Sequence, residues 1–190
     1  MSVPREPYQA MLIAGILRRP AVPGTAVAAR LESAFGPIAM ASAEFAFDLT
    51  TYYAAEMGPS LVRSFVAFSR LVKPDDLASL KLRANEIEHE FLDGPDRMLN
   101  VDPGLLTDHN VVLATAKDYS HRIYLRDGIY AEVTLIAHKA GFEPLPWTYP
   151  DYRLPLTLEF LNAQRVRLCA ERRLRGTTAT VPASPSLQGG

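Results

Sequence analysis

Apolar residues run without a break from Ala10 to Leu17 (A-M-L-I-A-G-I-L). So short and uniform a run predicts a strand buried on both faces. The polar, proline-bearing residues 1–9 ahead of it read as a loose arm. After a loop holding Pro20, Pro23 and Gly24, Thr25 stands where an N-cap belongs. A helix is expected from there through Phe35, closed by Gly36. Residues 38–47 alternate as a strand does. The segment F-D-L-T-T-Y-Y-A-A-E-M-G-P-S (47–60) breaks the alternation and predicts a loop with a helical turn. Residues 61–72 read as another strand. Pro74-Asp75-Asp76 then opens a helix in which Leu77, Leu80, Ala84, Ile87 and Phe91 form one apolar stripe. Gly94-Pro95 ends it.

The order to this point is β-α-β-β-α, and a strand at 97–101 would complete the split β-α-β repeat of a ferredoxin-like unit. Beyond it, 110–116 reads as a strand. Arg122–Leu125 and Ile129–Leu135 read as a hairpin about Asp127-Gly128, a strong tight-turn pair. Strict alternation would put Ile123, Leu125, Ile129, Ala131, Val133 and Leu135 on one face. Arg122, Tyr124, Tyr130, Glu132 and Thr134 would share the other. A helix over 154–173 turns Leu154, Leu158, Leu161, Leu168 and Cys169 inward. Residues 176–190 are of low complexity and are expected to be disordered. The expectation is therefore a single α+β domain over 10–175: a ferredoxin-like β-α-β-β-α-β core extended by extra antiparallel strands and a C-terminal helix.

The net charge is −1, so bulk charge points to neither nucleic acid nor membrane. The seven apolar residues Met11–Leu17 are too few to span a bilayer. One cysteine, Cys169, cannot form an internal disulfide, which fits a reducing, cytoplasmic setting. No G-x-x-x-x-G-K-[ST], G-x-G-x-x-G, G-x-S-x-G, C-x-x-C or H-E-x-x-H occurs, so no cofactor can be named. Glu86, Glu88, His89 and Glu90 read as a solvated helix face rather than metal ligands.

Four segments carry candidate chemistry. In the first, Asp48, Tyr52, Tyr53 and Glu56 put two carboxylates near two phenols, able to bind a cation or position a substrate. A capped turn with packed tyrosines explains them equally well. Asn100-Val101-Asp102-Pro103-Gly104 reads as a strand-ending turn, with Asn100 and Asp102 projecting where open sheets place ligands. Lys117-Asp118-Tyr119-Ser120-His121-Arg122 is the strongest candidate: Lys117, His121 and Arg122 supply donors for an anion, and His121 can move a proton near neutral pH. The hairpin adds Tyr124, Tyr130 and Glu132. Trp147-Thr148-Tyr149-Pro150-Asp151-Tyr152-Arg153 reads as an aromatic plug between the hairpin and the last helix, with Asp151 and Arg153 able to pair with each other or reach the site. Five arginines make that helix basic.

Four stretches also carry a family likeness: F-D-L-T-T-Y-Y-A-A-E-M-G (47–58), R-M-L-N-V-D-P-G-L-L (97–106), the run from Val112 to Leu135, and W-T-Y-P-D-Y-R (147–153). Through them the chain resembles the domain of unknown function 4416 family of small prokaryotic proteins. That family brings no established activity and no catalytic residues to carry over.

The leading expectation is a protein that binds a small anionic, phosphate- or nucleotide-like ligand on the hairpin's polar face. Catalysis is left open, with His121, Asp102 and Glu132 as candidates and divalent-metal hydrolysis or phosphoryl chemistry as the class they would suit. The alternative is a non-enzymatic RNA- or protein-binding adaptor using the same face and the arginine-rich helix. An RNA-binding face would be mainly basic, so Asp102, Asp118 and Glu132 favour the first.

Overall fold

The computed structural model describes residues 3–50 and 52–178, without the side chains of 54, 55 and 175–178. The apolar run forms β1 (Ala10–Arg18), buried along its whole length. After it come α1 (Gly24–Phe35), β2 (Ile38–Ala41), β3 (Phe45–Phe47), the single turn α2 (Ala54–Met57) and β4 (Leu61–Val72). A 3-10 turn at Pro74–Asp76 leads into α3 (Leu77–His89). The small hairpin β5 (Leu92–Asp93) and β6 (Asp96–Arg97) follows, then β7 (Leu99–Leu106) and β8 (Asn110–Thr115). The chain continues through β9 (Ile123–Arg126), β10 (Ile129–Ala137), β11 (Phe142–Pro144), a 3-10 turn at Pro150–Arg153, and α4 (Pro155–Thr178).

Nine strands form one sheet in the order β11-β10-β8-β7-β1-β4-β2, with β3 on β4 and β9 on β10. Every pairing is antiparallel. Side chains alternate across β1, so the two faces bury different partners. Leu12, Ala14 and Ile16 pack with Leu31 and Phe35 of α1 and with Ile87 of α3. Met11 and Ile13 pack on the opposite face with Phe65 and with Leu161 and Leu168 of α4. The class is thus α+β: a large antiparallel sheet with α1 and α3 on one face and α4 on the other.

Several boundaries differ from the sequence expectation, each for a local reason. Helix α1 starts at Gly24 behind Pro23, not at Thr25, and has no side-chain cap. The strand expected over 38–47 is two short strands, because Ser42 breaks the ladder and takes its own bonds with Phe65. Helix α3 stops at His89 rather than at Gly94-Pro95, which turns the small β5/β6 hairpin with Gly94 at φ +59°. Asn100–Gly104 is no turn: β7 runs straight through it. Gly104 is there for closeness, since a Cβ would meet the Val112 carbonyl oxygen at 2.9 Å and Leu113 Cδ2 at 2.6 Å. The Asp127-Gly128 turn forms as read, both residues at positive φ. The alternation in β10 fails at a bulge between Val133 and Leu135, which leaves Thr134 and Leu135 both buried. Ile123 and Leu125 on β9 are exposed instead of inward. Of the tail 176–190, residues up to Thr178 continue α4 and the others lie outside the described residues.

Strands β9 and β11 lie along one edge of β10 and leave a gap between them. Side chains of the following loop fill it: Trp147 Nε1 donates to the Val133 carbonyl (2.8 Å) and the Thr148 hydroxyl donates to that of Thr134.

One seam in the sheet stays open. β7 and β8 pair only at Gly104–Leu113, Leu105–Val112 and Leu106–Val111. Pro103, next along β7, has no N–H to offer. Toward Leu99 the two strands part, and α3 supplies the missing partners. Glu88 Oε1 accepts from Val101 N (2.8 Å), and Lys81 Nζ donates to Val101 O (2.8 Å). Both side chains are buried and lie 3.5 Å apart. Removing one member strands the other and a backbone group away from water. Glu88→Ala is accordingly expected to lower stability by about 3 kcal/mol in urea unfolding. Glu88→Gln, which keeps an acceptor, should cost less. A loss below about 1 kcal/mol for the alanine variant would rule out this account of the seam.

Candidate functional site

The parted strands open into a cleft of about 640 Å³, a size that suits a small molecule. Strands β1, β4 and β7 form its floor, and α3 and the loop after β8 form its sides. The 3-10 turn at Pro150–Arg153 closes one end.

Arg63 lies at the base, on a strand whose other inward residues are Leu61, Phe65 and Ala67. Its Nη2 is 2.7 Å from Asp151 Oδ2, and its Nη1 is 3.8 Å from Asp102 Oδ2. Its guanidinium sits 4.8 Å from the centre of the Phe65 ring. Burial works against its charge, but Asp151 and then Asp102 outweigh that and hold the guanidinium protonated. Asp102 Oδ1 is 3.6 Å from Lys81 Nζ, while Asn100 Nδ2 donates to Oδ2 (2.7 Å).

The opposite wall is built around Glu132, which is 1% exposed. Arg122 Nε donates to its Oε2 (2.9 Å), and His121 Nε2 lies 3.0 Å from the same oxygen. Arg122 also donates to the Lys117 carbonyl (2.9 Å) and to the Tyr149 hydroxyl (2.7 Å). It therefore acts as a strut joining the loop after β8 to the turn before α4. His121 stacks on Trp147 at 4.9 Å.

Lys117 stands at the mouth. Its Nζ contacts the Tyr52 hydroxyl and lies 4.4 Å from the centre of that ring. Among the described residues it has no carboxylate within 4 Å. All four cleft carboxylates do have a cation within that distance: Glu88, Asp102, Glu132 and Asp151. Among the described residues no three His, Cys, Asp or Glu side chains come together as metal ligands.

The expected residues divide accordingly. Asn100, Asp102, Lys117, Arg122 and Glu132 line one cleft, and Tyr52 and Tyr53 join them there. His121 sits behind Glu132. Asp118 is exposed and outside the lining. Tyr124 and Tyr130 pack edge to face, 5.3 Å apart, beyond the cleft. Asp48 lines a shallow depression with Glu44. Glu56 is exposed and lies 3.3 Å from Arg97. The helix face read as solvated has a buried member, Glu88, because it faces the open seam.

Sequence reasoning missed Arg63, Lys81 and Glu88 as site residues, and favoured packing for Tyr149, Asp151 and Tyr152. The signal was present for the first three. Arg63 interrupts an inward alternation of apolar residues, and Lys81 and Glu88 stand four residues from Leu77 and Ala84 on the buried stripe. A charge at a core position needs a built partner.

The sequence profile of the domain of unknown function family DUF4416 matches residues 9–167, and the chain belongs to that family. No curated protein matches it. No solved structure matches it either.

Three phenols in the cleft stay protonated well past their ordinary range. Burial, then the charge of Glu132, pushes Tyr149 up to about 12. Burial raises Tyr53 and Tyr152 as well, with Asp102 adding to both. Folding thus favours their neutral form. That contribution is fully present below about pH 10, the ordinary phenol value, and is lost as pH rises from there toward 12. We expect part of the phenolate absorbance at 295 nm to appear only together with loss of the circular dichroism signal in that window. Reversible titration of all eight tyrosines near pH 10 with the fold intact would contradict it.

Proposed function

We propose that this protein binds a small anionic, phosphate- or nucleotide-like molecule in the cleft between β7 and β8. The observation that carries the reading is Lys117. It is a cation at the mouth of a cleft with no carboxylate within 4 Å among the described residues, and the Tyr52 hydroxyl stands beside it. A phosphate oxygen there would meet a charged donor from Lys117 and neutral donors from Tyr52 and Tyr149. Arg122, with its nitrogens already engaged, holds the Lys117 backbone in place. Glu132, itself in contact with His121, holds Arg122. The reading is of a binding site and assigns no reaction.

Two broader readings accompany it. The strand order β7-β1-β4-β2, with α1 and α3 as the crossovers on one face, supports a ferredoxin-like core. The single cysteine supports a cytoplasmic setting, and among the described residues no helix is long and apolar enough to cross a membrane.

An RNA- or protein-binding adaptor built on the arginines of α4 has less support. Arg165 donates to the Asp108 carbonyl, Arg167 to that of Phe68, and Arg172 pairs with Asp108. These arginines fasten the helix to the sheet.

A thermal-shift series with inorganic phosphate, sugar phosphates and nucleoside monophosphates tests the proposal. At a hundredfold excess over Kd, a ligand adds about 2.7 kcal/mol, a rise of about 5 °C or more for a chain of this size. The rise should vanish in Lys117→Ala and shrink in His121→Ala. Equal shifts in wild type and Lys117→Ala would remove the site from the cleft mouth.

A further inference from the structure

The base of the cleft holds two buried polar atoms with no hydrogen-bond partner among the described residues: the Tyr152 hydroxyl and Arg63 Nε. Tyr152 is 1% exposed and Arg63 3%. Native proteins leave few such groups unpaired, and those they leave call for a partner from outside the chain. Both line the cleft.

Their positions depend on a glycine. Gly15 sits in the middle of β1, and a Cβ there would lie 2.5 Å from Arg63 Nη2 and 3.0 Å from the Tyr152 hydroxyl. Without a side chain at this position the guanidinium and the phenol pack directly against the β1 backbone, and a larger residue would displace them.

The charge at the base differs from that at the mouth. Arg63 and Lys81 are faced by Asp102 and Asp151 at 2.7–3.8 Å, with Glu88 3.5 Å from Lys81. A second anion there would meet carboxylates that already balance those cations. A neutral group that both accepts and donates fits better. It would accept from Tyr152 or from Arg63 Nε, and donate to Asp102, the most open of these carboxylates at 25% side-chain exposure. A hydroxyl has that pairing capacity. The rings of Tyr53 and Tyr149 add the apolar walls against which the carbon face of a polyol can lie.

Resting on the anion reading above, we infer that the ligand is two-ended: a phosphate at Lys117 and Tyr52, and a hydroxyl-bearing body whose hydroxyls engage Tyr152, Arg63 and Asp102. The class is a phosphorylated sugar, free or as the ribose of a nucleotide.

Calorimetric titration of the full chain with inorganic phosphate, ribose 5-phosphate and adenosine 5′-monophosphate tests this, on wild type, Tyr152→Phe and Lys117→Ala. Ribose 5-phosphate should bind at least about tenfold more tightly than inorganic phosphate, the effect of one added hydrogen bond. Tyr152→Phe should erase that advantage and leave phosphate affinity within about twofold. Its melting temperature should not fall, because the deleted oxygen has no hydrogen-bond partner among the described residues. Adenosine monophosphate binding above ribose 5-phosphate assigns the nucleotide form, and the reverse assigns the free sugar phosphate. Equal affinity for phosphate and ribose 5-phosphate, or equal losses for both in Tyr152→Phe, overturns the sugar subsite and leaves the anion reading standing. No binding of any of the three probes to wild type defeats both.

Discussion

Backbone groups taken out of water must be hydrogen-bonded, and at Val101 the partner is a helix rather than a strand. Glu88 and Lys81 reach across from α3 and occupy the N–H and C=O that a neighbouring strand would have taken. This substitution lets β7 and β8 separate while both remain in one sheet. The cleft is the space so created. Its charged floor follows from the same choice, because a buried lysine and glutamate draw further charges toward them. Asp102 sits within 3.6 Å of Lys81, and Arg97 within 3.3 Å of Glu88. Asp102 in turn faces Arg63, and Arg63 faces Asp151. A buried ion pair is costly in isolation. Linked in a chain of alternating sign, each member meets its neighbour's need.

Most of the fold could be read from apolar periodicity. The buried run at Ala10–Leu17, the stripe on α3 and the Asp127-Gly128 turn all form where the pattern puts them. Periodicity failed where the backbone departs from the ideal count. The bulge before Leu135 adds a residue to one strand, a change that no alternation of side chains reveals. It failed again at Pro103-Gly104. The two residues commonest in turns serve there to end one pairing and tighten another, both inside a strand. Context decides between such uses, and context is three-dimensional.

The site was legible in part. Lys117, Arg122, Glu132, Asn100 and Asp102 were accessible because they cluster along the chain. Arg63 and Lys81 were not, being charges at inward positions of β4 and α3 and far from the cluster in sequence. They become conspicuous once an inward position is asked to be apolar. Arg165, Arg167 and Arg172 of α4 make the opposite case: part of a basic run that looks like a ligand surface, they clamp the helix to carbonyls and to Asp108. Long charged side chains often cover and fasten apolar surface in this way.

The loop that fills the gap beside β10 has a further effect. An exposed strand edge offers unpaired carbonyls to any passing chain and is a route to uncontrolled association. Between β9 and β11 the carbonyls of Val133 and Thr134 are already taken by Trp147 and Thr148. A stray strand therefore finds its docking register blocked by side chains in the middle of the edge. That stretch of β10 is closed without another strand.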